Sequence, residues 1–269
     1  MSWLAILYIF LAPSVEASPP QRIVSLNLCT DQLLIELADR ERIAGVSYWA
    51  VDPRMAAYAA EAKGLRTVRG SAEEVIGLEP DLVLAGTFST RETVSILTRL
   101  GYQVVDFTPA NSIEDIATNL RTLGAAISEE EKAEEIIARM EARLATPPEA
   151  PNDESPLFAT YDANGWSTGS GTLTSDIAAR AGYRTLGDEL GFFGSRRVNL
   201  ETLLTVQPDV IDLGDARADA PALASEALKH PALGNLLTQA REVKIPGYLT
   251  ACGTPKTVEA VELLIEAAP

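Results

Sequence analysis

The sequence predicts an α/β protein of two related lobes, each a parallel sheet with helices on its faces, joined by a single long α-helix. Three observations carry this expectation: strands alternate with helices, one helix-turn-strand unit occurs twice, and a long helical stretch lies between the copies. Parallel strands need crossover connections, which the intervening helices supply.

Taken in order, residues 1–17 stand apart. Met1 to Ala12 is almost wholly apolar but shorter than the roughly 20 residues that span a bilayer. It ends in Pro13-Ser14-Val15-Glu16-Ala17, small residues placed as a signal peptidase expects, so the chain reads as exported and cut after Ala17. No Lys or Arg precedes the apolar run, and a buried N-terminal element is the other reading. No cysteine marks a lipoprotein anchor at the cut. Beyond it, Arg22 to Leu26 is a short β-rich run, Asp31 to Ala38 has helical spacing, and Ile43 to Val46 is apolar again. Ser71 to Gly77 reads as a short helix stopped by Pro80-Asp81, and Leu82 to Ala85 as a buried strand. Thr93 to Leu100 is helical and Gln103 to Phe107 a strand.

The repeat links Ser71 to Gly86 (SAEEVIGLEPDLVLAG) with Asn199 to Gly214 (NLETLLTVQPDVIDLG) at a constant offset of 128 residues. Glu73/Glu201, Pro80/Pro208, Asp81/Asp209 and Gly86/Gly214 are identical pairs, and the apolar positions match. A strict register of this kind is the signature of duplicated units.

Between the copies, Ser128-Glu129-Glu130-Glu131 reads as a capping box. Ala133, Ile136, Ile137, Met140 and Leu144 then fall on one helical face, before Pro147-Pro148. A helix of this length spans roughly 25 Å, enough to bridge two lobes with little hinge motion. The expected organisation is a signal peptide over 1–17, an N-terminal lobe over 18–127, a bridging helix over 128–146 and a C-terminal lobe over 147–269.

Composition excludes several classes of function. The 269 residues carry 22 Lys+Arg against 38 Asp+Glu, a net charge of −16 that repels nucleic-acid backbones and anionic lipid. A single histidine, His230, rules out a three-histidine zinc site and disfavours histidine-based triads. No catalytic residue, metal site or bound cofactor is expected.

RIVSLNLCTDQLLIELA, the duplicated Pro-Asp-strand unit, the bridging helix and GYLTACGTPKTVEAVELL together resemble the substrate-binding proteins of siderophore, haem and cobalamin ABC importers, over about residues 21–266. The resemblance implies two Rossmann-like lobes with the ligand in the cleft between them. It implies a periplasmic, monomeric, non-enzymatic carrier that hands an iron-siderophore or cobalamin-like ligand to a permease dimer.

Ligands of open α/β sheets sit beyond the carboxyl ends of the strands. The loops expected there carry Cys29, Trp49, Phe88, Tyr161, Trp166, Arg197, Tyr248 and Cys252 as ligand-binding candidates. Aromatic residues with a few polar groups suit a large planar or macrocyclic ligand. Trp49 and Trp166 fall where cobalamin-binding members of the family have aromatic walls, whereas Val68, Gly86 and Arg196 or Arg197 stand at other aromatic positions of those members. Arg196 and Arg197 suit an anionic ligand group or are solvated loop charges. Haem is an alternative ligand that needs an axial Tyr or His, from Tyr48, Tyr161, Tyr248 or His230. A nucleotide-binding enzyme is the alternative of another class. Its only cue is the glycine-rich run Gly165 to Gly171, which lacks GxGxxG spacing and a P-loop lysine.

Two cysteines in an exported chain suggest one disulfide. Cys29 and Cys252, however, are expected to face the cleft from opposite lobes, where a bond would lock the lobes against ligand entry. The expectation is therefore a redox-sensitive latch or soft ligand contacts, with a structural disulfide as the alternative.

Glu73 and Glu201 occupy equivalent second positions of helices capped by Ser71 and Asn199, with Glu74 closing a capping box. In the family this sequence resembles, one such glutamate per lobe docks on permease arginines. The resemblance thus assigns docking to Glu73 and Glu201.

Overall fold

A computed structural model of the chain describes residues 18–87, 89–145, 148–214 and 230–269, apart from the side chain of Asn164. The expected signal peptide and the candidate Phe88 lie outside the described residues.

The first sheet has five strands: β1 (Ile23–Ser25), β2 (Ile43–Ser47), β3 (Thr67–Val68), β4 (Leu82–Gly86) and β5 (Val104–Phe107), in the order β3-β2-β1-β4-β5, all parallel. All three residues of β1 are buried, as suits a central strand covered on both faces. Helices α1 (Leu28–Leu37), α2 (Ala72–Ile76) and α3 (Arg91–Arg99) make the crossovers. Asn27 starts α1, its side-chain carbonyl accepting the N–H groups of Cys29 and Thr30 at 2.9 and 3.1 Å.

Next come α4 (Ile113–Ile127), α5 (Glu130–Arg143) and a second parallel sheet. That sheet contains β6 (Leu157–Thr160), β8 (Arg184–Thr185), β10 (Val210–Asp212) and β11 (Arg241–Glu242), ordered β11-β10-β6-β8. Beside it, β7 (Trp166–Thr168) and β9 (Ser195–Arg197) form a two-stranded antiparallel ribbon. The helices of this half are α6 (Leu173–Arg180), α7 (Leu186–Leu190), α8 (Leu200–Val206), α9 (Pro231–Leu236), α10 (Gly247–Thr250) and α11 (Val258–Glu266).

The repeat has one geometry in both copies. Glu79 and Gln207, at equivalent positions, are left-handed at φ 46° and 52°, which turns the chain from helix into Pro-Asp and the next strand. The capping box of Ser71 with Glu74 and the Asn199 cap are both present.

The helical bridge differs from its expected form. Ser128 does not start a helix; it ends α4 in the left-handed conformation, φ 58°. The preceding helix consumes it, and Glu129, without a capping hydrogen bond, opens α5. The bridge is α5 alone, 14 residues or about 21 Å, with α4 packed against it. Ala133, Ile136, Ile137 and Met140 form its buried face as the periodicity predicts. One end is held in the first half, where Arg42 donates to Glu129 and to the Ile127 carbonyl; the other is held in the second by the Arg143–Glu262 ion pair. At α4, a Cβ on Gly124 would lie 2.9 Å from that of Ala133, so glycine sets the spacing of the two helices.

One continuous apolar core runs through Ile23, Leu34 and Leu82 of the first half, Ile116 and Leu120 of α4, Ile136 and Met140 of α5, and Phe158, Val210 and Val261 of the second. The opposite face of each sheet has its own smaller core.

Candidate functional site

At the carboxyl ends of the first sheet's strands lies a pocket of about 440 Å³. Leu26 and Asn27 follow β1, Ser47 to Trp49 end and follow β2, Val68 to Gly70 end and follow β3, and Ser89 and Thr90 follow β4. The second half contributes Ala251 and Cys252. This is the place in a parallel sheet where ligands are bound.

Its aromatic wall is Tyr48 and Trp49, with ring centroids 4.5 Å apart. Both are more than 40% exposed, in a single turn of 3-10 helix over Tyr48–Val51. The Arg69 guanidinium lies 5.7 Å from the Tyr48 ring centre, within cation–π range. Among the described residues, Arg69 is the one charged side chain lining the pocket; the polar lining is otherwise amide and hydroxyl, from Asn27, Ser47, Ser89 and Thr90. Asn27 Nδ2 donates to Ser89 Oγ at 3.2 Å, and Ser89 Oγ accepts the Gly86 N–H at 2.9 Å, fixing this rim.

Cys29 and Cys252 are joined in a disulfide with Cα atoms 5.1 Å apart, and both line the pocket. This corrects the expected conflict between a bond and ligand entry. The halves already share a core through α4 and α5, so the bond locks no hinge, and it forms part of the pocket lining. Bonded sulfurs offer no thiolate to a soft metal. Beyond the disulfide, a smaller pocket of about 120 Å³ is lined by Thr30, Leu33, Phe107 and Gly253. Lys256 Nζ donates to the Ala57 carbonyl at 2.7 Å and sits 4.1 Å from the Tyr58 ring centre, a second tie between the halves.

Beneath the wall, Asp31 is wholly buried. Its carboxylate accepts the Ser47 N–H at 3.0 Å and the Ser47 hydroxyl. Burial pushes this carboxyl up to about 7, against the lowering effect of the Ser25 and Ser47 hydrogen bonds.

Of the residues predicted from sequence, Cys29, Trp49 and Cys252 meet in the pocket. Trp166 and Arg197 face each other on the β7–β9 ribbon, the guanidinium 5.7 Å from the indole centre, and Arg196 lies over Phe192 at 4.8 Å. Tyr161 is not a surface residue: it is 2% exposed in the second half's core, and burial raises its hydroxyl pKa. Tyr248 sits half-buried in α10, packed against the main core. His230 caps α9, its Nδ1 accepting the Ala232 N–H at 3.2 Å, which gives that nitrogen a structural role. The glycine-rich run forms β7 and the turn into α6, where Thr172 and Ser175 make a capping box. Sequence reasoning passed over Asn27, Ser47, Met55, Arg69, Ser89 and Thr90. Asn27, Ser47, Ser89 and Thr90 share a signal of position, shortly after the ends of predicted strands, whereas Met55 lies well beyond one and Arg69 follows β3, a two-residue strand that the sequence does not announce.

Two parallel α/β sheets, a bridging helix and a strand-end pocket with an aromatic wall define a two-lobed α/β protein of the periplasmic-binding-protein type. The chain belongs to the "Periplasmic binding protein" family, whose model matches residues 23–243. It is 30% identical over 213 residues to a "Cobalamin-binding protein" of Halobacterium salinarum, an alignment covering 77% of this chain and 58% of that one. The chain thus spans little more than half the length of that relative. An uncharacterised ABC transporter substrate-binding lipoprotein of Bacillus subtilis, YvrC, is 23% identical over 261 residues, covering 92% and 79% of the two chains. Among solved structures, a possible iron-binding periplasmic solute-binding protein from Staphylococcus epidermidis has the same fold. It superposes at a TM-score of 0.75 with 20% identity, covering 93% of this chain and 99% of that one.

Proposed function

We propose that this chain is the exported, periplasmic solute-binding component of an ABC importer. It captures a bulky metal chelate, a cobalamin-like corrinoid or an iron-siderophore, and delivers it to an inner-membrane permease. It acts as a monomer and catalyses no reaction. The observation that carries this reading is the strand-end pocket, where the Tyr48–Trp49 wall meets a rim of neutral amide and hydroxyl groups. A corrinoid has a flat apolar ring edged with carboxamides, which such a wall and rim match. A pocket of this volume takes one edge of the chelate. The cobalamin-binding relative supports the corrinoid, and Arg69 supports an anionic siderophore. Haem is a second reading because Tyr48 brings a phenol, a known type of haem ligand, into the same pocket.

The test is titration of the purified protein with cyanocobalamin, a ferric siderophore and hemin. Tryptophan emission and melting temperature are followed for all three, and a Soret band for hemin. One of the three should quench emission and raise the melting temperature, and Trp49→Ala should weaken that ligand's binding. No response to any of the three would overturn the proposal.

A further inference from the structure

Asp31 carries a cost that the fold itself does not require. It lies in α1, at 0% exposure, and among the described residues it has no cationic partner. Burying a carboxyl away from water is expensive, and an apolar side chain would tie α1 to β2 without that cost. What an apolar residue cannot do is hold Ser47 in one orientation. The two oxygens of Asp31 accept the main-chain N–H and the hydroxyl of the same residue, so both the backbone direction and the rotamer of Ser47 are fixed. Ser47 is the last residue of β2 and directly precedes the turn that bears Tyr48 and Trp49.

That turn needs such a hold. Tyr48, Trp49 and Val51 are each more than 40% exposed, so core packing alone does not set their place. The hold also comes from the right side. Asp31 shares α1 with Cys29, and the helix's cap Asn27 anchors the polar rim through Ser89. Disulfide, rim and aromatic wall are therefore referenced to one helix.

We propose that Asp31 is the positioning residue of the pocket: by gripping Ser47 from below, it holds the Tyr48–Trp49 wall in register with the rim and the disulfide for a flat ligand. The proposal rests on the binding function proposed above. The residue touches no ligand; it acts through Ser47.

The test compares Asp31→Val, which removes both acceptors at similar volume, with Asp31→Asn. The amide accepts the Ser47 N–H and donates to the Ser47 hydroxyl, so it keeps the grip. In the full chain carrying Trp3→Phe and Trp166→Phe, Trp49 is the sole tryptophan, and its acrylamide quenching and near-ultraviolet circular dichroism report on the wall without any ligand. Asp31→Val should raise quenching and flatten the dichroic signal, with Asp31→Asn close to the parent. In the otherwise unaltered chain, the dissociation constant for whichever of cyanocobalamin, ferric siderophore or hemin binds should rise about tenfold in Asp31→Val and stay near the parent value in Asp31→Asn. If Asp31→Val leaves Trp49 and the dissociation constant unchanged, or if both variants disturb Trp49 alike, the proposal is overturned. Should Asp31→Val fail to melt cooperatively, Ser47→Ala decides: raised quenching of Trp49 supports the grip, and unchanged quenching overturns it. If no chelate binds the parent protein, the binding function falls, while the quenching comparison still decides the role of Asp31.

Discussion

Asp81 and Asp209, 128 residues apart, make the same clamp on the first strand of their respective sheets. Asp81 accepts the Arg22 N–H at 2.9 Å on its carboxylate and donates its own N–H to the Arg22 carbonyl at 3.0 Å. Asp209 does the same to Leu157, at 2.8 and 2.9 Å. Each aspartate follows a proline, which cannot donate a ladder hydrogen bond, so the pairing of the strand entrance falls to the next residue.

The clamp predicts equal costs in the two halves. Asp81→Ala and Asp209→Ala should each lower stability by about 1.5–3 kcal/mol, the value of hydrogen bonds to charged groups. Urea unfolding of the two variants measures this. A cost confined to one of them would mean that the repeat is a likeness of sequence without equivalent structural work.

A second prediction follows from the burial of Asp31. Its folded-state value of about 7 lies above its ordinary 3.8, so between roughly pH 4 and 7 the folded protein binds more protons than the unfolded chain. Stability contributed by this group is therefore present in full at low pH and is lost as pH rises to 7, by up to about 4 kcal/mol. Asp31→Asn has no such titration. Urea unfolding at pH 5 and pH 8 should show the variant gaining on the parent at the higher pH, whatever the other carboxylates do to both. A parent-to-variant difference that is constant with pH would refute it.

The sequence carried more of the fold than of the site, for physical reasons visible in particular residues. The Pro-Asp units announced themselves because turn chemistry is local: a left-handed residue, a proline and a clamping aspartate occupy fixed positions. Ser128 misled because SEEE suits the start of a helix, while what placed it was α4, whose residues Ile113 to Ile127 end there. Tyr161 read as a loop residue beyond a strand, but its side chain is buried in the core, and the turn leading into β7 lies against it: a Cβ on Gly165 would lie 3.2 Å from its hydroxyl. The pairing of Cys29 with Cys252 depends on how the two halves sit together, which spacing does not encode. Likewise Arg69 and Ser89 have ordinary neighbours in sequence, and they belong to the pocket only because parallel strands bring their carboxyl ends together.

The disulfide should dominate the resistance of the chain to heat. It closes a loop of 223 residues' separation, for which restriction of the unfolded chain contributes about 2–5 kcal/mol. In a chain of this size that corresponds to a fall of about 5–15 °C in melting temperature when Cys29 and Cys252 are both replaced by alanine. Dithiothreitol should bring the parent down to the same temperature and leave the variant unmoved. Because α4 and α5 hold the halves together independently, circular dichroism of the reduced protein should stay native below the new transition.

The last prediction concerns Glu73 and Glu201, both exposed and both second in their helices, α2 and α8. A favourable contact with the helix dipole, worth about 0.3–1 kcal/mol, explains an acidic residue at either place. Capping does not add to it, because other side chains already cap these helices. Glu74 accepts the N–H groups of Arg69 and Ser71, and Asn199 accepts that of Thr202. Neither Glu73 nor Glu201 takes part in an ion pair among the described residues, so both carboxylates face solvent with their charge unspent. If these glutamates dock on a permease, the double variant Glu73→Lys/Glu201→Lys should fold with a loss of no more than about 1–2 kcal/mol. It should bind its chelate with unchanged affinity and fail to support uptake in cells that carry the cognate permease. Each single reversal should be intermediate, because one of two contacts survives. Normal uptake by the double variant would leave the two glutamates as helix-end charges and nothing more.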